Sequence, residues 1–240
     1  MSTVKAVNTT FWQRSLRPAW ELSVAAARVL AAWRYRMVIV ALALVTLALI
    51  TVTYDAAWIA VVQAGNPRWV RKLAQALSFW GDFPTGTLIL VVAVALWGWL
   101  RQSPRLKQAA LACLLAASVA GLSANVVRSA VGRPRPMAKL PDGAYGPTLE
   151  YRLLGFPSAH AATSFGTGAA LVVTVPPLGV AALIGAGGVA WSRMVLNRHH
   201  PTDVAIGGSL GIVMGLVFGI AARRRSAALV NPAKAVSAEP

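Results

Sequence analysis

The chain has 240 residues, 57% of them hydrophobic and only 12% charged, with a mean hydropathy of +0.60; a water-soluble globular domain carries about 25% charged residues, so the composition excludes that class and points to a membrane protein. Its 23 Lys+Arg, 18 of them arginine, stand against 7 Asp+Glu for a formal net charge of +16. Nucleic-acid binders carry such charge on a polar surface, whereas these cations fall in the gaps between apolar runs, which argues against nucleic acid and for phospholipid headgroups and phosphorylated substrates as the anionic partners.

Residues 1–36 mix Trp and Arg (Trp12, Arg14, Arg17, Trp20, Arg28, Trp33, Arg34 and Arg36) and are too long and too charged for an ordinary signal peptide. They read as an N-terminal interfacial segment ahead of a retained first span. Uncharged apolar runs follow at 37–54, 83–100, 109–127, 161–175, 178–192 and 204–222, which predicts an all-α integral membrane bundle of six transmembrane helices over residues 37–222. The fourth and fifth runs fall short of the ~20 residues that cross a bilayer core, so their polar ends must extend the helices into the headgroup zone. Between the first two spans, Trp69, Leu73, Leu77 and Trp80 recur at helical spacing opposite Arg68, Arg71, Lys72 and Gln75, the pattern of an amphipathic helix lying in the interface. Cys113, the single cysteine, sits inside an apolar run as a packing residue and can form no intrachain disulfide. Pro176-Pro177 cannot continue the fourth helix and marks a tight hairpin into the fifth. In the sixth span Gly207, Gly211, Gly215 and Gly219 recur every fourth residue, a smooth stripe for close helix packing. Residues 223–240 read as a basic and then disordered tail.

Six spans divide the cations into 13 on the side of the two termini and 10 on the other. With Arg128, Arg135 and Arg193 set aside as site residues the comparison is 13 against 7, which predicts cytoplasmic termini in a bacterial inner (plasma) membrane. The long polar loops then face the non-cytoplasmic side.

The same topology brings four helix ends to that face: the end of span three, the start of span four, the end of span five and the start of span six. The unusual polar residues gather there, namely Arg128, Arg133 and Arg135, then Pro157-Ser158-Ala159-His160, then Ser192-Arg193, then His199, His200 and Asp203. Singly, a terminal arginine snorkels to headgroups and an interfacial histidine is a surface residue; jointly they suit phosphoryl transfer. Guanidinium groups match phosphate oxygens bidentately and stay charged, and the N–H groups at the Ser158–His160 helix start form an anion site. Asp203, one turn from His199, can reach and orient that imidazole as a nucleophile, while His160 can protonate a departing oxygen. Asp142, Glu150 and Asp203 are scattered and no Cys/His metal spacing occurs, so a metal mechanism is disfavoured and no cofactor is expected.

Arg128 to Pro136, Pro157 to His160, and Ser192 to Asp203 resemble, in order and internal spacing, the three-part signature of the type 2 phosphatidic acid phosphatase family, which shares its site with the vanadium haloperoxidases. The resemblance covers about residues 80–222. The family pattern usually begins with Lys where this chain has Arg128 and reads Pro-Ser-Gly-His where this chain has Ala159; Arg keeps the cation and Ala keeps the backbone N–H. The resemblance implies that Arg128, Arg135, Arg193, Ser158 and the Ala159 amide hold phosphate. It further implies His199 as nucleophile through a phosphohistidine, Asp203 as its orienter, and His160 as general acid and then base. Arg133 falls on a less fixed position, second to the substrate or facing solvent, and His200 ranks below His199.

These features together point to a metal-independent lipid phosphatase acting on a phosphomonoester or pyrophosphate. Phosphatidic acid, phosphatidylglycerol phosphate, isoprenoid pyrophosphates and lipid A remain open as substrates, and the sequence gives no oligomeric state. Two other readings stay open: a vanadate-dependent haloperoxidase, and a non-enzymatic membrane protein whose arginines bind headgroups.

Overall fold

The structure, a computed structural model, describes residues 16–230. The extreme N-terminal residues and the tail expected to be disordered beyond Val230 lie outside it. Among the described residues there is no β-strand. In chain order the helices are α1 (Arg17–Ala32), α2 (Arg34–Thr51), α3 (Asp55–Gln63), α4 (Arg68–Gly81), α5 (Leu88–Leu100) entered through a π-helical turn at Phe83–Thr87, α6 (Pro104–Val131), α7 (Ala159–Thr174), α8 (Pro176–Val195) and α9 (Pro201–Val230).

Four helical segments among the described residues have the length and apolar character to cross a membrane: Phe83–Leu100, Pro104–Ala138, Pro176–Val195 and Pro201–Val230. The expected fourth span corresponds to α7, which has 16 residues, short of a full bilayer crossing. It is wrapped by α6, α8 and α9. The outer surface carries exposed Leu96, Trp97, Trp99, Leu100, Leu122, Val126, Val180 and Ile184. Apolar surface on that scale suits hydrocarbon rather than water.

Small residues decide the packing. α7 and α9 make the most extensive helix pair, because a Cβ at Gly207, Gly211 or Gly215 would fall on the backbone of Ser158, Ala162 or Gly166 in α7 and its cap. The expected glycine stripe therefore brings two backbones together, and the α7 start, where Ser158 lies, is fixed by the α9 start, where Asp203 lies. The Pro176-Pro177 pair opens α8 directly after α7 ends at Thr174, and Arg105 Nε donates to the Thr174 carbonyl at 2.6 Å to close that end.

The amphipathic segment forms α4 (Arg68–Gly81). Val70 and Ala74 are buried with Val195, and Trp191 and Leu196 pack against them; Leu77 meets Gly188 of α8. Trp69, Leu73 and Trp80 stay exposed. Tight packing selected the smaller side chains for the protein side and left the large aromatics for the lipid interface. At the other end of the molecule, α1 buries Leu22, Ala26 and Val29 in the main core, and Arg225 of α9 bonds both Glu21 and the Pro18 carbonyl.

Candidate active site

The three motif segments meet at one end of the α6–α7–α8–α9 bundle and are stitched by backbone hydrogen bonds. Gly132, with φ 66°, ends α6 in a left-handed cap that accommodates the Gly146 backbone against it. Beyond it, Gly155 N–H donates to the Arg133 carbonyl at 2.9 Å, Arg135 N–H to the Arg152 carbonyl at 2.8 Å, and Ser158 N–H to the Asp203 carbonyl at 2.9 Å. The loop before α9 is held from the side by α3: Gln63 Nε2 donates to Asn197 Oδ1 at 2.6 Å and to the Met194 carbonyl at 3.2 Å.

His199 is 1% exposed and its Nδ1 lies 2.7 Å from the Gly155 carbonyl. A carbonyl can only accept, so Nδ1 carries the proton and Nε2 is left with a lone pair. Asp203 Oδ2 is 3.7 Å from the same Nδ1, beyond hydrogen-bond range, so the orienting contact at hydrogen-bond distance is the Gly155 carbonyl and Asp203 acts through its charge. Burial pushes the His199 imidazole down to about 4, opposed by Asp203 and reinforced by Arg135 and Arg193.

Asp203 itself is completely buried and receives Arg133 Nη1 at 2.7 Å and the His200 N–H at 2.7 Å. Arg133 is 6% exposed, not solvent-facing, and its guanidinium also meets Asp55 Oδ2 at 2.9 Å and Asp142 Oδ1 and Oδ2 at 3.0 and 2.9 Å. Asp142 is held below the usual carboxylate range chiefly by that bond. Asp55 in turn accepts Thr202 N–H and Oγ1–H, both at 2.9 Å, and so caps the α9 N-terminus from another helix. Asp142 and Asp203, far apart in sequence, are thus gathered with Asp55 around one cation.

The arginines expected to hold phosphate behave differently. Arg128 Nε, Arg135 Nε and Nη1, and Arg193 Nε are buried with no hydrogen-bond partner among the described residues. Arg193 Nη1 is aimed by Ser78 Oγ at 2.5 Å, and the Arg135 guanidinium lies 3.8 Å over the Tyr151 ring, whose hydroxyl accepts from Arg198 at 2.7 Å. Buried guanidinium donors without acceptors are costly, and a tetrahedral oxyanion supplies the acceptors they lack. Arg135 and Arg193 both act electrostatically on His199, and Arg193, His199, Arg135 and Arg128 all act on His160. Ser158 is fully buried as the N-cap of α7, its Oγ accepting from Ala161 N–H at 3.4 Å, which leaves the N–H groups of Ala159 and His160 at the open helix start.

His160 Nε2 lies 3.8 Å from Asp82 Oδ1. It borders a groove of ≈ 450 Å³ lined also by Arg128, Asn125, Leu122, Phe83 and Pro84. His200 Nδ1 is 3.5 Å from Asp203 Oδ2 but has no hydrogen-bond partner among the described residues. Sequence reasoning missed Asp55, Gly155, Ser78 and Tyr151. An Asp directly ending the first apolar run was the one available signal, since a carboxylate at a span end needs a partner.

The family model described as PAP2 superfamily matches residues 108–226. The decaprenylphosphoryl-5-phosphoribose phosphatase of Mycolicibacterium smegmatis is 37% identical over 155 residues, covering 64% of this chain and 80% of that protein. Its namesake from Mycobacterium tuberculosis is 34% identical over 157 residues, covering 60% and 76%. In fold the chain is similar to the PAP2 type phosphatidylglycerolphosphate phosphatase from Bacillus subtilis, with TM-score 0.60 and 21% identity over 77% of this chain and 94% of that one. It is also similar to Aquifex aeolicus LpxE, with TM-score 0.51 and 18% identity over 68% and 93%. With the three motifs on one face and a relative of this identity matched over most of its length, the chain belongs to the PAP2 superfamily.

Proposed function

We propose that this membrane lipid phosphatase removes a terminal phosphoryl group from a phosphorylated lipid through a phosphohistidine at His199, without a metal ion. The observation that carries the reading is the set of buried, unpaired donors on Arg128, Arg135 and Arg193 around a histidine whose Nδ1 is tied to a carbonyl. His199 Nε2 attacks phosphorus, the P–O bond to the alcohol breaks, and His160 gives its proton to the departing oxygen. The bound phosphoryl dianion supplies the negative charge that keeps His160 protonated beforehand. His160, now neutral, takes a proton from water, which attacks the phosphohistidine, breaks the N–P bond and releases inorganic phosphate. The arginines, with the Ala159 N–H, stabilise the equatorial oxygens throughout.

Among substrates, a polyprenylphosphoryl phosphoribose is favoured by the likeness to the mycobacterial relatives, ahead of the phosphatidylglycerolphosphate named for the more distant Bacillus subtilis structure. Six spans, with α2 and α7 completing the four long apolar segments, give cytoplasmic termini and a non-cytoplasmic site in the plasma membrane. Within that frame residues 1–36 form the cytoplasmic segment, 37–222 the catalytic bundle and 223–240 the tail. The reading is tested by phosphate release from a panel of lipid phosphates by detergent-purified protein with and without EDTA. Release unaffected by EDTA is expected; no release from any lipid phosphate, or loss of release with EDTA, contradicts it. A C-terminal reporter active only outside the cell contradicts the orientation.

A further inference from the structure

We infer that the groove beside His160 selects lipid phosphates whose terminal phosphate is carried on a hydroxyl-bearing unit, such as a sugar or a glycerol with a free hydroxyl, over isoprenyl diphosphates, and that Asn125 is the residue that reads the hydroxyl. The inference rests on the phosphatase reading above. Asn125 stands three residues before Arg128 on α6, so the two share a helix face, and both line the ≈ 450 Å³ groove with His160. Its Oδ1 is buried and has no hydrogen-bond partner among the described residues. A buried amide oxygen with no donor is costly, and a free hydroxyl on the departing unit, close to the scissile ester, would supply one about 4.5 Å of helix rise from the guanidinium of Arg128.

The opposite wall carries Asp82, whose Oδ2 accepts from Thr85 at 3.1 Å while Oδ1 faces His160 at 3.8 Å. A carboxylate beside the general acid tolerates a departing alcohol. It repels a departing phosphate, the leaving group of a diphosphate. Farther along the same α6 stripe the groove passes Leu122, 66% exposed to the surroundings, so an apolar chain attached to the hydroxylated unit continues outward into lipid. The groove therefore grades from cationic through hydrogen-bonding to apolar, matching the terminal phosphate, the hydroxylated unit and, past the phosphodiester that follows it, the lipid chain of a phosphorylated polyol lipid.

The test measures kcat/KM of the full-length protein in detergent micelles on four probes: a polyprenylphosphoryl 5-phosphoribose and phosphatidylglycerol phosphate, whose leaving groups bear free hydroxyls, and phosphatidic acid and farnesyl diphosphate, whose leaving groups bear none. The unmodified enzyme is expected to prefer the hydroxylated pair. Asn125→Leu should lower the ratio of hydroxylated to phosphatidic acid turnover about tenfold, the scale on which a lost hydrogen bond to substrate is felt, and Asn125→Ser should recover part of it. A ratio is independent of the fraction of protein folded, and Asn125→Ala reads the same ratio if leucine is not accommodated. An unchanged ratio in the active variants, or farnesyl diphosphate as the best probe, overturns this inference and leaves the phosphatase reading standing. No release from any probe by the unmodified protein overturns both.

Discussion

Arg133 Nη1 donates to Asp203 Oδ1 at 2.7 Å, joining the loop after α6 to the first turn of α9 across 70 positions of sequence. The same guanidinium holds Asp55 at 2.9 Å, so one cation ties the start of α3, the motif loop and the segment that carries His199. Neither Asp55 nor Asp203 is more than 2% exposed, and two bare carboxylates so deeply buried would be strongly unfavourable.

Arg133→Ala is therefore expected to destabilise the protein by about 3–5 kcal/mol, the cost of stranding a buried charge. Asp142→Asn, which removes the half-exposed partner, should cost about 0–1 kcal/mol. Thermal unfolding of the purified variants in detergent measures both. Equal losses would show that the cluster is not organised around its buried members.

The pH dependence follows from His199. Burial lowers its protonation to about pH 4, and the attacking lone pair exists only on the neutral ring. Phosphoryl transfer should thus stay level in this group from neutral pH down to about 5 and fall as pH drops through 4, once the substrate's own ionisation is corrected for. A kcat/KM profile with an enzyme limb near the ordinary histidine value of about 6.5, sensitive to substitution near His199, would contradict the burial argument.

Helix packing yields a paired test. A methyl group at Gly207 falls on the Ser158 backbone, whereas Gly185 on α8 has nothing within 4 Å of an added Cβ. Gly207→Ala should cost about 1–3 kcal/mol by overpacking and lower activity further by displacing the α7 start. Gly185→Ala should be neutral or stabilising by up to about 1 kcal/mol. Differential scanning with a parallel activity assay separates these outcomes, and equivalent behaviour of the two variants would count against close α7–α9 contact.

Much of the site was legible because phosphate chemistry needs particular side chains at particular spacings. Arg128, Arg135, His160, Arg193, His199 and Asp203 all emerge at one end of the bundle, as span counting required. The contacts that hold them were not legible. Asp55 and Arg133 are 78 residues apart, and nothing local in either segment encodes the other. Ser78 and Tyr151 look like ordinary loop and interface residues until Arg193 and Arg135 are seen against them. Hydropathy alone also did not show that the 16 residues of α7 are enclosed by their neighbours, which depends on small side chains matching α9.

The histidines should divide as their surroundings suggest. His160→Ala is expected to lose about 10²–10⁴-fold on a lipid monoester but less on p-nitrophenyl phosphate, whose leaving oxygen needs little protonation. His200→Ala should be mild, since its Nδ1 makes no hydrogen bond and its backbone N–H, which does hold Asp203, survives the substitution. Steady-state rates on the two substrates decide this; a uniform loss in His160→Ala would remove its role as general acid.

The central claim, covalent phosphoryl transfer to His199, is tested most directly by trapping the intermediate. Purified protein mixed with a lipid carrying ³²P in its terminal phosphoryl group and quenched in base should retain protein-bound label that acid releases, as a phosphoramidate does. His200→Ala should retain the label, and His199→Ala should carry none and release no phosphate. Label persisting in His199→Ala, or steady phosphate release from that variant, would contradict the account.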